Sequence, residues 1–307
     1  MQIIVLGAGA IGSLYGAKLA AANDVTLIAR QEHAAAINAH GLTIEGREAG
    51  NIRVKAATEV TSIGANALVL LTTKVSDTAA ALSPIKSLVR DDTTIVCLQN
   101  GLGSEKVARA ALGGRGIVLR AITQFGAIFV RPGVIRFMIA RHTLIEPHER
   151  SPAIADVLTA SGLDARISSD IQADIWQKLI FNCVVNPLSS ILGREVGSVA
   201  DPQLDPLKRV VIEECLAVAT AEGVKFEIDF LATINDAYAP SKNIASMRQD
   251  LQRGRETEID YLNGAVVSLG IQHRIDCPVN RALTDIIKAM AKQSATVPKD
   301  NVPGAVV

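Results

Sequence analysis

Along the first half of the chain, short apolar runs alternate with alanine-rich stretches of helical period. The apolar runs Gln2–Leu6, Val25–Ala29, Ala67–Thr72, Thr94–Gln99 and Ile117–Ile122 predict strands. Strand and helix in alternation predict an α/β domain with a doubly wound parallel sheet, covered on both faces by helices. Beyond it, Gly126–Val130 and Val134–Ala140 flank Arg131-Pro132-Gly133, which predicts an antiparallel hairpin on a Pro-Gly turn. From about Asp170 the period lengthens, and helices are predicted at Ile171–Val185, Asp205–Gly223, Ser246–Arg255, Glu258–Leu269 and Pro278–Lys292. Within Asp205–Gly223, the residues Leu207, Val210, Val211, Cys215 and Val218 recur three or four apart and predict its buried face. The change of period places a domain boundary near Ser168, giving an α/β domain at 1–168 and an all-helical domain at 169–307. From Ser294 onward Pro298, Pro303 and Gly304 predict a soft tail.

Composition narrows the function classes. At 307 residues and 49% hydrophobic, the chain can bury two domain cores. Lys+Arg 31 against Asp+Glu 31 gives no net charge, and aromatics are only 3%, so neither a long-range field nor stacking surface favours a nucleic-acid partner. The uncharged stretches Met1–Ala17 and Leu179–Gly193 fall short of the ~20 apolar residues that span a bilayer. Met1–Ala17 also lacks a basic leader and holds Gly7, Gly9, Gly12 and Gly16, so the expectation is a cytoplasmic protein with no membrane partner. Cys97, Cys183, Cys215 and Cys277 form no CxxC pair and read as reduced, mostly buried thiols. His33, His40, His142, His148 and His273 make no ligand spacing, so no metal is expected, and the absence of GxSxG leaves a serine hydrolase unsupported.

The first strand runs directly into Gly7-Ala8-Gly9-Ala10-Ile11-Gly12, and a helix follows. A GxGxxG run alone is a weak signal; between a strand and a helix it is the dinucleotide-binding turn of a Rossmann-type domain. Gly7 permits the tight turn, Gly9 lets backbone approach a pyrophosphate, and Gly12 lets helix pack on strand, while the helix N-terminus attracts the phosphates. The second strand ends in Arg30-Gln31, where an acidic residue would hold the ribose of NAD. The planar donor fork of Arg30 suits a 2′-phosphate and favours NADP; Glu32, two residues on, is the counter-argument.

Polar residues in apolar surroundings supply the rest of the chemistry. Lys74 follows the third predicted strand and Asn100-Gly101 follows the fourth, both at the carboxyl edge where open α/β sheets bind ligands. A solvated lysine and a simple Asn-Gly turn are the plain alternatives. In the helix from Ile171, Lys178, Asn182 and Asn186 lie four apart and share a face within an apolar segment, and Pro187 strains or ends that helix. Three such side chains are costly to bury unless paired with each other or with a ligand, or unless they form a polar stripe along a domain seam. Glu258 opens the helix predicted at 258–269, as its cap or as a partner that orients the Lys178 ammonium.

Together these segments resemble the ketopantoate reductase family over nearly the whole chain. The resemblance rests on GAGAIG at Gly7–Gly12, on Thr73-Lys74 and on Gln99-Asn100-Gly101. It rests further on Lys178-Leu179, Asn182 and Asn186-Pro187-Leu188, on Asn243, Ser246-Met247 and Asp250, and on the run Thr257-Glu258-Ile259-Asp260-Tyr261-Leu262-Asn263-Gly264. The lysine-asparagine helix and that last run are far more specific than the glycines. The resemblance implies NADPH-dependent reduction of 2-dehydropantoate to (R)-pantoate, on the route to pantothenate and coenzyme A. It implies Lys178 as proton donor and Glu258 as its partner at the cofactor. Asn182, Asn186, Asn243 and Ser246 would surround the substrate; Lys74, Asn100 and Ala127 would touch the cofactor, Asn100 also reaching the substrate. The site would lie in the cleft between the domains. Many members carry a further substrate-facing asparagine after the Asn-Pro-Leu segment; the aligned position here is Val196. That departure keeps open a related reductase of another branched 2-oxo acid, and a nucleotide-binding regulatory protein is the reading outside enzymes. The alanine- and valine-faced helices of the second half could support a homodimer.

Overall fold

The computed structural model describes residues 1–296, and two compact units divide the chain, Met1–Asp174 and the residues from Ile175 on. The first unit holds twelve strands: β1 (Gln2–Leu6), β2 (Asp24–Ile28), β3 (Leu42–Gly46), β4 (Gly50–Ile52), β5 (Lys55–Ala57), β6 (Leu68–Leu71), β7 (Thr94–Cys97), β8 (Ile117–Thr123), β9 (Gly126–Arg131), β10 (Val134–Ile139), β11 (Thr143–Ile145) and β12 (Ala165–Ile167). Its helices are α1 (Ala10–Leu19), α2 (Gln31–His40), α3 (Thr78–Leu82), α4 (Ser104–Leu112) and α5 (Ser151–Ala160). Eight strands form one sheet in the order β12-β11-β8-β7-β6-β1-β2-β5. All neighbours in it are parallel except β11 and β8.

The apolar runs that predict the central strands belong to a sheet buried on both faces. In β1, Ile3 and Val5 enter a core with Leu14, Tyr15, Leu27 and Ile37, whereas Ile4 and Leu6 enter the opposite core with Val69, Leu71, Leu82 and Leu112. This is the two-residue alternation of a strand expressed as two cores. The predicted hairpin is present: β9 and β10 pair antiparallel across Gly133, whose φ of +77° suits glycine. It joins β3 and β4 in a separate four-stranded sheet, order β4-β3-β10-β9.

The second unit carries α6 (Ile171–Leu192, which begins four residues before the division), α7 (Asp205–Ala221), α8 (Phe230–Tyr238), α9 (Ser246–Gln252), α10 (Asn263–His273) and α11 (Pro278–Thr296). Pro187 lies inside α6 and does not end it. The helix expected from Glu258 is broken: Ile259–Tyr261 is a short 3-10 turn with Glu258 as its N-cap residue, and α10 begins only at Asn263, after Leu262 leaves the helical region with ψ −105°. The tail expected from Ser294 starts within α11, while Pro298, Pro303 and Gly304 lie outside the described residues.

The buried face of α7 also differs from expectation. Leu207 and Val210 are 37% and 40% exposed, and the inward stripe is Lys208, Val211, Ile212, Cys215, Val218 and Ala219, joined by Glu214. The two charged residues tolerate burial because each is fully engaged. Lys208 Nζ donates to Val199 O at 2.8 Å and pairs with Asp205 at 2.7 Å. Glu214 accepts from the Val279 and Asn280 amides, both at 2.9 Å, at the start of α11. All four cysteines are free and buried, and burial pushes the Cys97 thiol up to about 12, which leaves it inert as a nucleophile. No helix among the described residues is long and apolar enough to cross a membrane.

Candidate active site

In the first unit, β1 pairs with β2 on one side and β6 on the other, so the turn after Leu6 lies where the strand order reverses. Ligands of open α/β sheets bind at such a point. The Gly7 and Ala8 amides both donate to Ile28 O, at 3.2 and 2.8 Å, which stitches the turn to the end of β2. The three glycines are used differently. A Cβ on Gly7, whose φ is +105°, would lie 2.6 Å from Thr73 N, and one on Gly12 would lie 2.5 Å from both Gly7 O and Thr72 Oγ1. Those two are required by packing. A Cβ on Gly9 would meet nothing of the protein closer than 4.0 Å, and Gly9 is exposed, so the space above it is open. Gly9 is the N-cap of α1, no side chain caps that helix, and its first turn, which begins Ala10-Ile11-Gly12, holds no acidic residue. Backbone amides and the helix dipole at an open, glycine-floored space fit a pyrophosphate. Arg30 follows β2 as the exposed N-cap residue of α2, and exposed Glu32 lies in the same first turn.

The neighbouring strand ends are fastened to this turn. Thr72 Oγ1, just past β6, donates to Gly7 O at 2.8 Å. Half-buried Lys74 follows, as N-cap of the 3-10 turn Val75–Asp77. Buried Gln99 donates to Thr78 Oγ1 at 2.7 Å and to Lys74 O at 3.4 Å, binding the segment after β7 to the segment after β6. Half-buried Asn100 is fixed from the next strand, because Arg120 of β8 donates to Cys97 O at 3.1 Å and to Gly101 O at 2.9 Å. The structure therefore brings the glycine turn, Lys74 and Asn100 to one carboxyl edge. Ala127 is on β9 in the other sheet, opposite Phe137 and packed against the core that includes Leu14 and Tyr15.

Two supporting residues escape a reading for chemistry. Arg120 has a signal in the sequence, a charge inside the apolar strand Ile117–Thr123. His33 has none. It is buried on α2, with Nδ1 accepting from the Gly133 amide at 2.8 Å and Nε2 3.0 Å from Ser13 Oγ. Because Nδ1 accepts, Nε2 carries the proton and donates to Ser13, whose hydroxyl donates to Ala8 O at 3.2 Å. The hairpin turn is thus wired through a neutral imidazole to the glycine turn. Burial lowers the pKa of His33 below its ordinary 6.5, so the unfolded chain takes up a proton more readily than the fold does. The stability this gives is present above pH 6.5 and is lost as pH falls through the lowered value. The urea midpoint of unfolding is expected to drop over that interval, and His33→Gln to flatten the dependence; an unchanged slope in the variant would show that other groups govern it.

In the second unit, Lys178, Asn182 and Asn186 are half-buried on one face of α6, while Leu179, Ile180, Cys183, Val184, Val185 and Leu188 are buried. Half-buried Glu258 precedes the 3-10 turn at Ile259. Half-buried Asn243 lies before α9, and Ser246, exposed, is the first residue of that helix. The Val196 amide donates to the backbone Asn243 O at 2.8 Å, and the Val196 side chain is buried. Among the described residues no cluster of His, Cys, Asp and Glu is placed to hold a metal ion.

Residues 3–150 match the family described as "Ketopantoate reductase PanE/ApbA", and residues 170–291 match "Ketopantoate reductase PanE/ApbA C terminal". A 2-dehydropantoate 2-reductase of Pyrococcus horikoshii is 37% identical, over 94% of this chain and 97% of its own. Among solved structures, a PanE/ApbA family ketopantoate reductase from Ralstonia eutropha JMP134 superposes with a TM-score of 0.89 at 33% identity, covering 96% of this chain and 99% of that one. A D-mandelate dehydrogenase in a ternary structure with NADH and anilino(oxo)acetate superposes at 0.86 with 26% identity, over 96% of this chain and 99% of its own.

Proposed function

Since the chain belongs to the ketopantoate reductase family of oxidoreductases, which use a nicotinamide cofactor, we propose that it reduces 2-dehydropantoate to (R)-pantoate with NADPH and that Lys178 is the general acid. The observation that carries this reading is the stretch Lys178–Leu188 of α6, apolar apart from Lys178, Asn182 and Asn186, which it keeps on one partly accessible face. An ammonium that donates to the C2 ketone oxygen stabilises the charge that develops there and then releases its proton to it. Glu258 keeps that ammonium charged and oriented until the transfer. Asn182, Asn186, Asn243 and Ser246 supply amide and hydroxyl groups for the substrate carboxylate and hydroxyl, and Asn100 helps hold the ketone.

The cofactor fits the first unit on its own evidence, namely the open floor at Gly9 and the uncapped start of α1. Gly7 to Gly12 would hold the pyrophosphate, Lys74, Asn100 and Ala127 the remaining contacts, and Arg30 the 2′-phosphate that distinguishes NADPH from NADH. When bound, NADPH supplies the hydride. Arg30→Ala should weaken NADPH by about 10- to 100-fold, the loss of one or two charged hydrogen bonds, and leave NADH nearly unchanged. Fluorescence titration with both nucleotides measures this, and equal losses would assign the discrimination elsewhere.

A second reading is favoured by one observation: position 196, where the resemblance implies an asparagine, is a buried valine whose backbone amide bonds to Asn243 O. An apolar neighbour where a polar one would hold a hydroxyl suits a 2-oxo acid with a hydrocarbon branch. NADPH consumption across a panel of 2-oxo acids separates the readings. Preference for 2-dehydropantoate supports the first, preference for an acid without the hydroxyl supports the second, and nucleotide binding without any turnover rejects both.

A further inference from the structure

The proline within α6 leaves a defect in the helix that carries Lys178. Its nitrogen has no hydrogen, so Cys183 O, four residues earlier, lacks its helical donor. The described structure supplies a replacement from another helix. Asn263, fully buried as the first residue of α10, donates from Nδ2 to Cys183 O at 2.9 Å. The missing bond spans Cys183 to Pro187, after Lys178 and Asn182 and around Asn186, so whatever fixes it also fixes the setting of Asn186 relative to the other two.

The orientation of Asn263 is dictated through a chain of partners. The Glu214 carboxylate only accepts, so the Asn280 amide must turn Nδ2 toward it, and does so at 2.7 Å. That leaves Asn280 Oδ1 facing Asn263, whose Nδ2 donates to it at 2.8 Å. Both Nδ2 hydrogens of Asn263 are therefore committed, one to Asn280 and one to Cys183 O. Its own Oδ1 is buried without a hydrogen-bond partner among the described residues. A side chain kept at that cost is kept for its donors.

We propose that Asn263 is a positioning residue for the reaction: it substitutes for the hydrogen bond that Pro187 removes and so holds α6 across the gap between Cys183 O and Pro187, which sets Asn186 relative to Lys178 and Asn182. This rests on the reading of Lys178 as the acid, because displacement of the helix matters to turnover only if that amine must meet a reacting oxygen. Misplacement of a catalytic group by about 1 Å can cost about 10²-fold in rate.

The test is a double-mutant cycle with Asn263→Leu and Pro187→Ala, in which the alanine amide can serve Cys183 O again. It is read both by kinetics and by amide hydrogen exchange across α6. Asn263→Leu should lower kcat at least about tenfold with KM for NADPH unchanged, and speed exchange in α6 by a similar factor, the cost of one unsatisfied buried group. In the Pro187→Ala background both effects should shrink to below about threefold. Equal effects in the two backgrounds, or intact kcat and exchange in Asn263→Leu, would overturn the proposal. If the leucine variant folds only in the Pro187→Ala background, the coupling is shown by that rescue; if it folds in neither, Asn263→Ser is read in the same cycle. A parent protein that turns over no 2-oxo acid would reject the functional reading, while the exchange arm would still decide the role of Asn263 in α6.

Discussion

Lys178→Ala is expected to lower kcat by about 10²- to 10⁴-fold, the usual contribution of a positioned general acid, while the Kd for NADPH should stay within about threefold. The split follows from where the residues are. The glycine turn, Arg30, Lys74 and Asn100 all belong to the unit Met1–Asp174, whereas Lys178 belongs to the helical unit. Under the proposed role, loss of the ammonium would remove both the charge that meets the developing alkoxide and the proton that quenches it. Lys178→Arg should recover little, since a guanidinium retains charge but does not surrender its proton near neutral pH. Stopped-flow mixing and nucleotide titration measure the two constants separately. Turnover surviving in the alanine variant would assign the acid to another group.

The second large effect is expected at the glycine turn, where two substitutions should fail in different ways. Gly12→Val puts a Cβ 2.5 Å from Gly7 O and from Thr72 Oγ1, and these two atoms are themselves bonded at 2.8 Å. The turn cannot yield there without releasing its contacts to Ile28 O, so the variant should lose about 1–3 kcal/mol of stability and weaken NADPH by at least about 100-fold. Gly9→Ala meets no protein atom within van der Waals contact and should unfold like the parent. Its methyl group would enter the space proposed for the pyrophosphate, so NADPH affinity should fall by about tenfold or more at unchanged stability. Thermal unfolding with and without nucleotide distinguishes the pair; unchanged affinity in Gly9→Ala would place the phosphates elsewhere.

The parts of this architecture visible in the sequence are those whose signal is local. The central strands β1, β6 and β7 show as unbroken apolar runs because both faces of the sheet are covered. The glycine turn shows because packing permits no side chain at Gly7 or Gly12, and α6 shows as three polar residues spaced by four. The parts that stay hidden depend on partners distant in the chain. The three-residue strands β4, β5 and β12 are too short and polar to show alternation. The inward face of α7 is masked because Lys208 and Glu214 look like solvent residues until Asp205, Val199 and the start of α11 are in place. Asn263 acts on a carbonyl 80 residues away, so neither period nor motif spacing exposes its role. His33 is hidden for the same reason, since its partner Gly133 is 100 residues distant.

The proposed reduction requires the amine of Lys178 to meet the ketone oxygen being reduced. A crystal structure of the protein with NADP and a non-reacting 2-oxo acid analogue tests this most directly. Lys178 Nζ is expected at hydrogen-bonding distance, roughly 2.7–3.2 Å, from the analogue's C2 oxygen, with Asn182 and Asn186 on the same ligand. An Nζ turned to solvent, with another donor on that oxygen, would contradict it.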